Sequence, residues 1–427
     1  MSVAGNAWRG RPAKVTGIVA LVVVLAGAGP LAWHPDWGRD DPAVFLPGAD
    51  AAAPVAGTAS APAGSTVRRD ASGRRLFTIL GAGDVLVHPE LTDQARRDAA
   101  RSGHPGTLDF APLFRQVRPA VSGADLAICH LETPVAEPDG PFAGFPRFSV
   151  PPQVVDAIRS TGFDACSTAS NHTIDQGEAG VSRTLGALDA AGIGHTGSAR
   201  SRKEALTPRI YTREGVRVGH LAYTLNLNGL QRPAGRDWIA NLIEPAKILP
   251  AARRLRAAGA EIVVLSLHWG TEYRNLPDAD QERWAEPLIA SPDIDLILGH
   301  HAHVVQPMEK VGHKWIAYGM GNQVARHRKP LPANREGVMT RFTFTRIAAG
   351  TWRVTTAEAI PTWVDLDPDI RLVDLPAALA DPATPADRRA IYQAAEDRIR
   401  GHLRVRGAAS SGLTVPGPMA PPVSPIG

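Results

Sequence analysis

Residues 294–303 read Ile-Asp-Leu-Ile-Leu-Gly-His-His-Ala-His, so a short apolar run leads directly into three histidines. A short apolar run bounded by a turn residue is typical of a buried β-strand. Three imidazoles within four positions are awkward in a packed core, and they favour a metal site. Histidine-rich tracts also occur on protein surfaces, so the interpretation depends on what the rest of the chain brings to the same place.

Four other apolar runs share this feature, since each ends at a side chain that can bind a metal. In an open α/β sheet the carboxyl ends of the strands share one edge, where ligands bind. We therefore expect these side chains to meet in one pocket. The predicted metal ligands are Asp84, Glu132, Asn171, His268, His301 and His303. The runs that precede them cover residues 76–82, 126–131, 163–168, 262–267 and 294–298.

This ligand set combines carboxylates, a carboxamide and imidazoles. Such a mixture suits Zn, Mn or Fe, whereas Ca and Mg prefer ligand sets made of oxygen alone. Mixed nitrogen and oxygen sites of this kind can hold two metals roughly 3.5–4 Å apart that share a carboxylate. We therefore expect divalent metal ions, two in number, as cofactors.

The fold class follows from the alternation of the apolar runs with amphipathic, helix-like stretches. Strand, helix and strand in succession predict an α/β domain with buried sheets. Residues 339–346 and 352–359 predict an antiparallel pair around a turn at Gly350. The last predicted helix starts at Pro385, with Thr384 as its N-cap. The other predicted helices cover residues 151–160, 181–191, 245–258 and 278–290.

The amino terminus predicts a membrane segment. Arg9, Arg11 and Lys14 precede residues 15–35, an uncharged run long enough to cross a hydrocarbon core of roughly 30 Å. The basic flank predicts a cytoplasmic amino end, which places the main domain outside the cytoplasm. A cleaved signal peptide also fits, since residues 26–28 (Ala-Gly-Ala) resemble a cleavage site. We favour a single-pass anchor in the cell membrane because the run is longer than a typical signal core.

The composition of the chain indicates which partners and which segments to expect. The net charge of +4 is close to neutral once the basic amino terminus is set aside, and this argues against a nucleic-acid partner. Stretches rich in Ala, Pro, Gly and Ser predict flexible or disordered segments. The expected segments are a membrane anchor or signal (1–35), a flexible linker (36–75), the main domain (76–365), a carboxy-terminal helical extension (366–407) and a disordered tail (408–427).

The chain contains two cysteines, Cys129 and Cys166. Both lie in apolar, strand-like segments, where a buried free thiol is the commoner state. An exported domain can also hold a disulfide, and geometry rather than count decides whether two cysteines pair. We expect free thiols, and the sequence leaves a mutual disulfide open.

Taken in order, the motifs resemble those of the CapA family, the poly-γ-glutamate capsule biosynthesis proteins of the calcineurin-like metallophosphoesterase superfamily. The resemblance covers about residues 76–325, and the phrases SNHTIDQG (170–177) and LSLHWGTEY (265–273) are especially similar to family motifs. It implies a four-layer α/β/β/α sandwich of the metallophosphoesterase type with a dinuclear metal site. The other motifs are Gly-Asp (83–84), Leu-Glu (131–132), Gly-His-His-Ala-His (299–303) and Gly-Met-Gly-Asn (319–322).

The resemblance also implies roles for single residues. Asp84 matches the first-motif ligand, and Glu132 occupies the position of the bridging carboxylate. His172 resembles the superfamily's acid, which protonates the leaving group, and an imidazole titrates near neutrality as that role requires. Asp175 either fixes the tautomer of His172 or caps a helix.

Several positions depart from the family pattern. Leu86 stands where the first motif usually has a histidine, so either one metal is weakly held or His88 substitutes for the missing ligand. For His300, a structural role is favoured over ligation by the spacing of its neighbours. The remaining departures, none of which removes a proposed ligand, are His130, Ala302 and Gln323.

The resemblance implies two alternative functions. One is a metal-dependent hydrolase at the cell envelope, acting on a phosphoester or an amide-linked polymer. The other is a non-catalytic component of capsule assembly or export that binds an anionic polymer, with capsule synthase proteins as partners. Glu272 and Arg274 either contact the substrate or lie in a solvated loop. The pair His172 and Asp175, which polymer binding alone does not need, favours the enzyme.

Overall fold

Alternating strands and helices make up residues 67–416, the part of the chain that this computed structural model describes. The strands in chain order are β1 (Leu76–Val85), β2 (Leu126–Leu131), β3 (Ala165–Ser167), β4 (Gly194–Thr196), β5 (Ile210–Arg213), β6 (Val216–Thr224), β7 (Ile262–His268), β8 (Leu296–His300), β9 (Met308–Val311), β10 (Lys314–Ala317), β11 (Asn322–Val324), β12 (Glu336–Ala348), β13 (Thr351–Asp365), β14 (Arg371–Asp374) and β15 (Leu413–Thr414). The helices are α1 (Pro89–Arg101), α2 (Ala111–Phe114), α3 (Arg118–Ser122), α4 (Gln153–Thr161), α5 (Gly177–Ala190), α6 (Arg202–Leu206), α7 (Pro245–Ala257), α8 (Ala279–Ala290), α9 (Leu375–Ala380) and α10 (Ala386–Arg404).

The strands of the described residues form two sheets. The first has the order β14-β13-β12-β1-β2-β3-β4, with β11 beside β1 and β15 beside β13. The second has the order β5-β6-β7-β8-β10-β9. Strands β1 to β4 are parallel to one another, and so are β6, β7 and β8. The carboxyl ends of these parallel strands therefore lie along one edge of each sheet.

Alternating side chains along each strand define four layers. In β1, Ile79 packs in the apolar cluster between the two sheets, whereas Leu80 packs against the helices that cover the first sheet. In β7, Val264 faces the space between the sheets, and Leu265 packs with Ile248 of α7 on the outer side of the second sheet. These three apolar clusters confirm the α/β/β/α sandwich.

A glycine at the end of β8 allows the close packing beneath the histidine motif. A Cβ atom at Gly299 would overlap the backbone carbonyl of Tyr318 in the segment after β10. Glycine is therefore required where these two segments approach each other. This close packing at Gly299 places the residues that follow, His300 to His303, at the carboxyl edge of the second sheet.

The two cysteines form a disulfide, which corrects the expectation of free thiols. Cys129 in β2 and Cys166 in β3 are paired positions in the parallel ladder, and their Cα atoms lie 4.4 Å apart. That separation is within the range that a disulfide can bridge. The sequence could not reveal the pairing because it does not show which strands are neighbours or in what register.

The carboxy-terminal boundaries also differ from the expected ones. Residues 366–407 contain β14, which pairs with β13, as well as helices. Residues 408–416, expected in a disordered tail, contain β15, which also pairs with β13. Ala408 and Leu413 are buried, and these two apolar side chains hold the segment against the body although its composition is typical of disorder. Residues 417–427 lie outside the described residues.

The start of α10 differs by one residue from the prediction. The N-cap position is occupied by Pro385, so Thr384 does not cap this helix. The Thr384 hydroxyl instead donates a hydrogen bond to the carbonyl oxygen of Ala378 at 2.6 Å. The Thr384 hydroxyl is therefore bonded to α9 and does not cap α10.

The expected linker is partly structured. Residues 67–75 form a turn that leads into β1, in which the Leu76 N–H donates to the Arg68 carbonyl oxygen at 2.8 Å and the Arg68 guanidinium pairs with Asp125. The remaining linker (36–66) and the expected membrane segment (1–35) lie outside the described residues. Within residues 67–416, no helix has both the length and the apolar character that crossing a bilayer requires.

Candidate metal centre

The structure brings the six predicted ligands together at the point where the carboxyl edges of the two sheets adjoin. All six side chains are buried. The six side chains therefore meet between two sheets, whereas the strand pattern alone predicts that they meet along the edge of one open sheet. The first sheet contributes Asp84, Glu132 and Asn171, and the second contributes His268, His301 and His303.

Asp84 is surrounded by groups from the histidine motif. Its Oδ1 lies 3.2 Å from the Nδ1 of His300, and its Oδ2 lies 3.2 Å from the Nδ1 of His303. The backbone N–H of His301 donates to the same Oδ2 at 3.1 Å. These contacts tie β1 of the first sheet to the loop after β8 of the second.

Glu132 lies between the histidines of two different strands. Its Oε1 is 3.7 Å from the Nε2 of His303 and 4.0 Å from the Nε2 of His268. The Nε2 of His268 is also 3.0 Å from the Oδ1 of Asn171. A carboxylate between two such groups has the placement that a bridging ligand requires.

Three sets of side chains offer ligand atoms that all lie within 4.8 Å of one another. One set combines residues of both sheets and includes the predicted bridging carboxylate, Glu132. Another includes Glu272, which the sequence predicts as a substrate contact. The sets are Asp84 with Glu132 and His303, Asp84 with His130 and His268, and Glu272 with His301 and His303.

Unpaired polar atoms show that the site fits divalent cations. Both carboxylate oxygens of Glu132, the Oδ1 of Asp84 and the Nδ1 of His301 are buried and have no hydrogen-bond partner among residues 67–416. Burying a carboxylate without a hydrogen bond or a counter-charge is strongly unfavourable. A cation bound between these atoms would supply the missing partner, so the donor set suits the metal ions that the sequence predicts.

Burial and the charges of the centre shift the pKa values of its side chains in different directions. Burial raises the pKa of Glu132 well above its usual value. Burial lowers the pKa of His303, but the carboxylates of Glu132 and Asp84 outweigh this effect and raise it to about 10. Burial lowers the pKa of His301 to about 4 and that of His268 well below 6.5. The latter two imidazoles are therefore neutral at pH 7, as metal ligands must be, whereas His303 carries a proton that a bound cation would displace.

His172 and Asp175 form a hydrogen-bonded pair next to the ligand Asn171. The Nδ1 of His172 lies 2.7 Å from the Oδ2 of Asp175, which also accepts the backbone N–H of Phe148 at 2.7 Å. Of the two roles left open for Asp175, the structure supports the first, because α5 begins at Gly177 and has Gln176 at its N-cap. The carboxylate therefore orients the imidazole.

His130 is the main residue that the sequence analysis missed. Its Nε2 lies 2.9 Å from the Nδ1 of His268, its Nδ1 lies 2.6 Å from the hydroxyl oxygen of Ser167, and its ring stacks on His300 at 4.1 Å. It orients His268 or joins a ligand set itself. Its place on β2, two residues before Glu132 and on the same strand face, was the available signal.

The structure does not bring His88 into the ligand sets. Its Nδ1 accepts the backbone N–H of Arg326 at 3.2 Å, and its ring lies 5.0 Å from that of His327. The hypothesis that His88 replaces the histidine missing at Leu86 therefore has no support in the described geometry. A second residue that the sequence analysis missed as a contact, Asn322, has its Oδ1 3.0 Å from the Nδ1 of His303.

Glu272 and Arg274 lie in the exposed loop after β7. Glu272 belongs to the ligand set with His301 and His303. The backbone carbonyl of Arg274 accepts a hydrogen bond from the Nε2 of Gln306 at 2.9 Å, which fixes this part of the loop. Glu272 thus borders the centre on its solvent side, and Arg274 follows two residues later in the same loop.

Residues 78–327, which include every predicted ligand, match the sequence profile of the bacterial capsule synthesis protein family PGA_cap. The chain belongs to the PGA_cap family. It is similar to two curated proteins: the capsule biosynthesis protein CapA of Bacillus anthracis (27% identical over 223 residues, 50% of this chain and 53% of that protein) and the PGA biosynthesis protein CapA of Bacillus subtilis (28% over 218 residues, 50% and 56%). The chain spans about half the length of these curated relatives.

This PGA_cap protein is also similar to the calcineurin-like phosphoesterase YfkN from Bacillus subtilis. The two are 11% identical with a TM-score of 0.39, and the match covers 76% of this chain and 97% of the other. The fold assignment itself rests on the two sheets and the three apolar clusters described above.

Proposed function

We propose that this PGA_cap protein is a metal-dependent hydrolase of a capsule-polymer pathway, acting at the cell envelope. The observation that carries the proposal is the hydrogen-bonded pair His172 and Asp175 beside a cluster of buried, unpaired metal-binding atoms. Binding a polymer requires neither an oriented imidazole nor uncompensated carboxylates. Hydrolysis uses both, since it needs a proton donor and a centre that stabilises charge.

In this proposal, some side chains bind the metal ions and others hold those ligands in position. Asp84, Glu132, Asn171, His268, His301 and His303 would hold the divalent ions. Such ions lower the pKa of a bound water and stabilise the charge that develops on an attacked ester or amide. His130 and Asn322 hold the rings of His268 and His303 in position through their hydrogen bonds.

His172 would deliver the proton that the leaving group requires. Its Nδ1 is held by Asp175, so Nε2 is the atom that carries the transferred proton. The Asp175 carboxylate stabilises the protonated imidazole before the transfer. Because Asp175 also accepts the N–H of Phe148, its own orientation is fixed by the backbone.

The proposed substrate is anionic, either a phosphoester or an amide-linked acidic polymer. The names of the relatives, which refer to capsule and PGA biosynthesis, support a polymer substrate and capsule synthase partners. Arg274, exposed in the same loop as Glu272, has the guanidinium group that suits carboxylate and phosphate recognition.

The proposed location is outside the cytoplasm, on a single membrane anchor. The basic flank and the apolar run of residues 15–35 support it. The disulfide between Cys129 and Cys166 also supports it, because disulfides persist in oxidising compartments.

The test is turnover by the purified full-length chain, loaded with Mn²⁺ or Zn²⁺, on aryl phosphate esters and on γ-glutamyl peptides. We expect hydrolysis of one class, and we expect His172→Asn to lower kcat by about 10²–10⁴-fold with bound metal unchanged. Full activity in His172→Asn would contradict the assigned role. Absence of turnover on both classes by the metal-loaded protein would contradict the hydrolase and favour the non-catalytic polymer-binding function.

A further inference from the structure

The loop after β7 places a carboxylate on the solvent side of the metal centre. Glu272 is exposed, yet its carboxylate oxygen and the ring nitrogens of His301 and His303 all lie within 4.8 Å of one another. Ligand atoms around one zinc-like ion lie about 3–4 Å apart, so an inward shift of Glu272 by about 1 Å would close the set. An exposed side chain can make that shift without repacking its surroundings.

A buried, unpartnered atom points toward the same place. His301 is 6% exposed, and its Nδ1 has no hydrogen-bond partner in the part of the chain that the structure describes. A buried polar atom without a partner is costly unless something absent from the protein chain binds it. Since His301 belongs to the set with Glu272, a cation shared by these side chains would supply the missing partner.

The backbone of the residues around this set is strained, so their surroundings must hold them in place. His301 has φ +88°, His303 has φ +54° and Tyr273, next to Glu272, has φ +62°. Left-handed backbone at residues other than glycine costs about 1–3 kcal/mol each and persists where the surroundings enforce it. The Tyr273 N–H donates to the Ala302 carbonyl oxygen at 2.7 Å, which ties the two loops together. The loop carrying Glu272 is thereby fixed opposite the histidines.

Charge explains why ligation suits Glu272 better than direct contact with the substrate. The proposed substrates are anionic, and a carboxylate facing an anion would repel it. A cation between Glu272 and the substrate removes this conflict.

We infer that Glu272 is a metal ligand that binds together with His301 and His303. The inference rests on the proposed metal-dependent function, and it replaces the substrate-contact role suggested for Glu272 by the sequence.

The test is metal binding by the purified full-length chain, measured by competition with a chelator and by the visible spectrum of bound Co²⁺. We expect Glu272→Gln to weaken the affinity for one of the two ions by about tenfold or more and to change the Co²⁺ spectrum. Glu272→His, which restores a ligand without the negative charge, should recover most of the affinity. Glu286→Gln, on the exposed face of α8, is the matched control and should bind metal as the wild type does.

Each result separates this inference from the proposed function. If the wild type binds metal and Glu272→Gln binds it with equal affinity and an unchanged Co²⁺ spectrum, Glu272 is not a ligand, while the hydrolase proposal stands. If Glu272→Gln and Glu272→His lose the same amount of metal affinity, the charge of Glu272 alone explains the loss and ligation is contradicted. If the wild type itself binds no divalent ion, both the proposed function and this inference fail.

Discussion

His220 lies in β6 with its side chain fully buried and its Nε2 2.9 Å from the hydroxyl oxygen of Ser266. Burial lowers the pKa of His220 from 6.5 to about 3. In mildly acidic solution the imidazole is therefore neutral in the folded protein, whereas in the unfolded chain it binds a proton. Because the unfolded state binds more protons between about pH 3 and 6.5, the free energy of unfolding rises with pH across that window.

We predict that His220→Gln, which removes the titrating group, flattens this pH dependence. Between pH 6.5 and 4.5 the wild type should lose about 2–3 kcal/mol of stability through His220 alone, and the variant should not. Urea unfolding at several pH values measures the slope. The exposed His104→Gln serves as the control and should keep the wild-type slope. Equal slopes for His220→Gln and the wild type would contradict the prediction.

Single residues were predictable where a strand end and a motif coincided. Asp84, Glu132 and His268 follow apolar runs, and their types alone restrict the chemistry. His130 was not predicted to contact the centre, because only the pairing of β2 with its neighbours shows that it reaches His268. Glu272 was predicted to border the site, but its proximity to His301 depends on the path of a loop, which no pattern encodes.

At the scale of elements, the disulfide joins two strands that carry the metal centre. Cys129 precedes Glu132 by three residues, and Cys166 lies shortly before the loop that contains Asn171. The bond closes a loop with a sequence separation of 37. Closing a loop of this length reduces the entropy of the unfolded chain and stabilises the fold by about 3–4 kcal/mol.

We predict that thiol titration of the unfolded, unreduced protein finds no free cysteine and that the double variant Cys129→Ala/Cys166→Ala loses about 2–5 kcal/mol of unfolding free energy. A reductant should destabilise the wild type and leave the double variant unchanged. Two reactive thiols in the unreduced protein would show that the expectation of free cysteines was right and the disulfide wrong.

Elements with strong periodicity were predicted well, whereas those fixed by pairing were not. The bounds of β2 agree with the apolar run, and β1 and β7 begin where expected and extend three residues and one residue further, respectively. The short β11 and β15 have no distinct sequence pattern. They pair with the stretches of β1 and β13 that lie beyond the pairing with β12 and β14. Likewise, the assignment of strands to two sheets depends on packing between layers, which a linear pattern does not contain.

At the scale of the whole molecule, the candidate metal centre is a product of the sandwich. Each sheet contributes half of the six predicted ligands, so neither sheet could form the site without the other. The apolar cluster between the sheets, which includes Phe77, Leu126 and Leu298, sets their separation. The sequence predicted the α/β class, and the resemblance supplied the two-sheet arrangement that the strand pattern alone left out.

The central claim is that these chain segments converge to bind divalent cations, and metal-dependent stability tests it most directly. The full-length chain is freed of metal, titrated with Mn²⁺ or Zn²⁺, and followed by thermal unfolding and by metal content. We predict about two ions per wild-type chain and a gain in unfolding free energy of about 2.7 kcal/mol at 100 times Kd. Glu132→Gln should lose this gain, whereas the exposed Glu137→Gln should keep it. A wild-type protein that retains no ion and unfolds at the same temperature with and without metal would contradict the account.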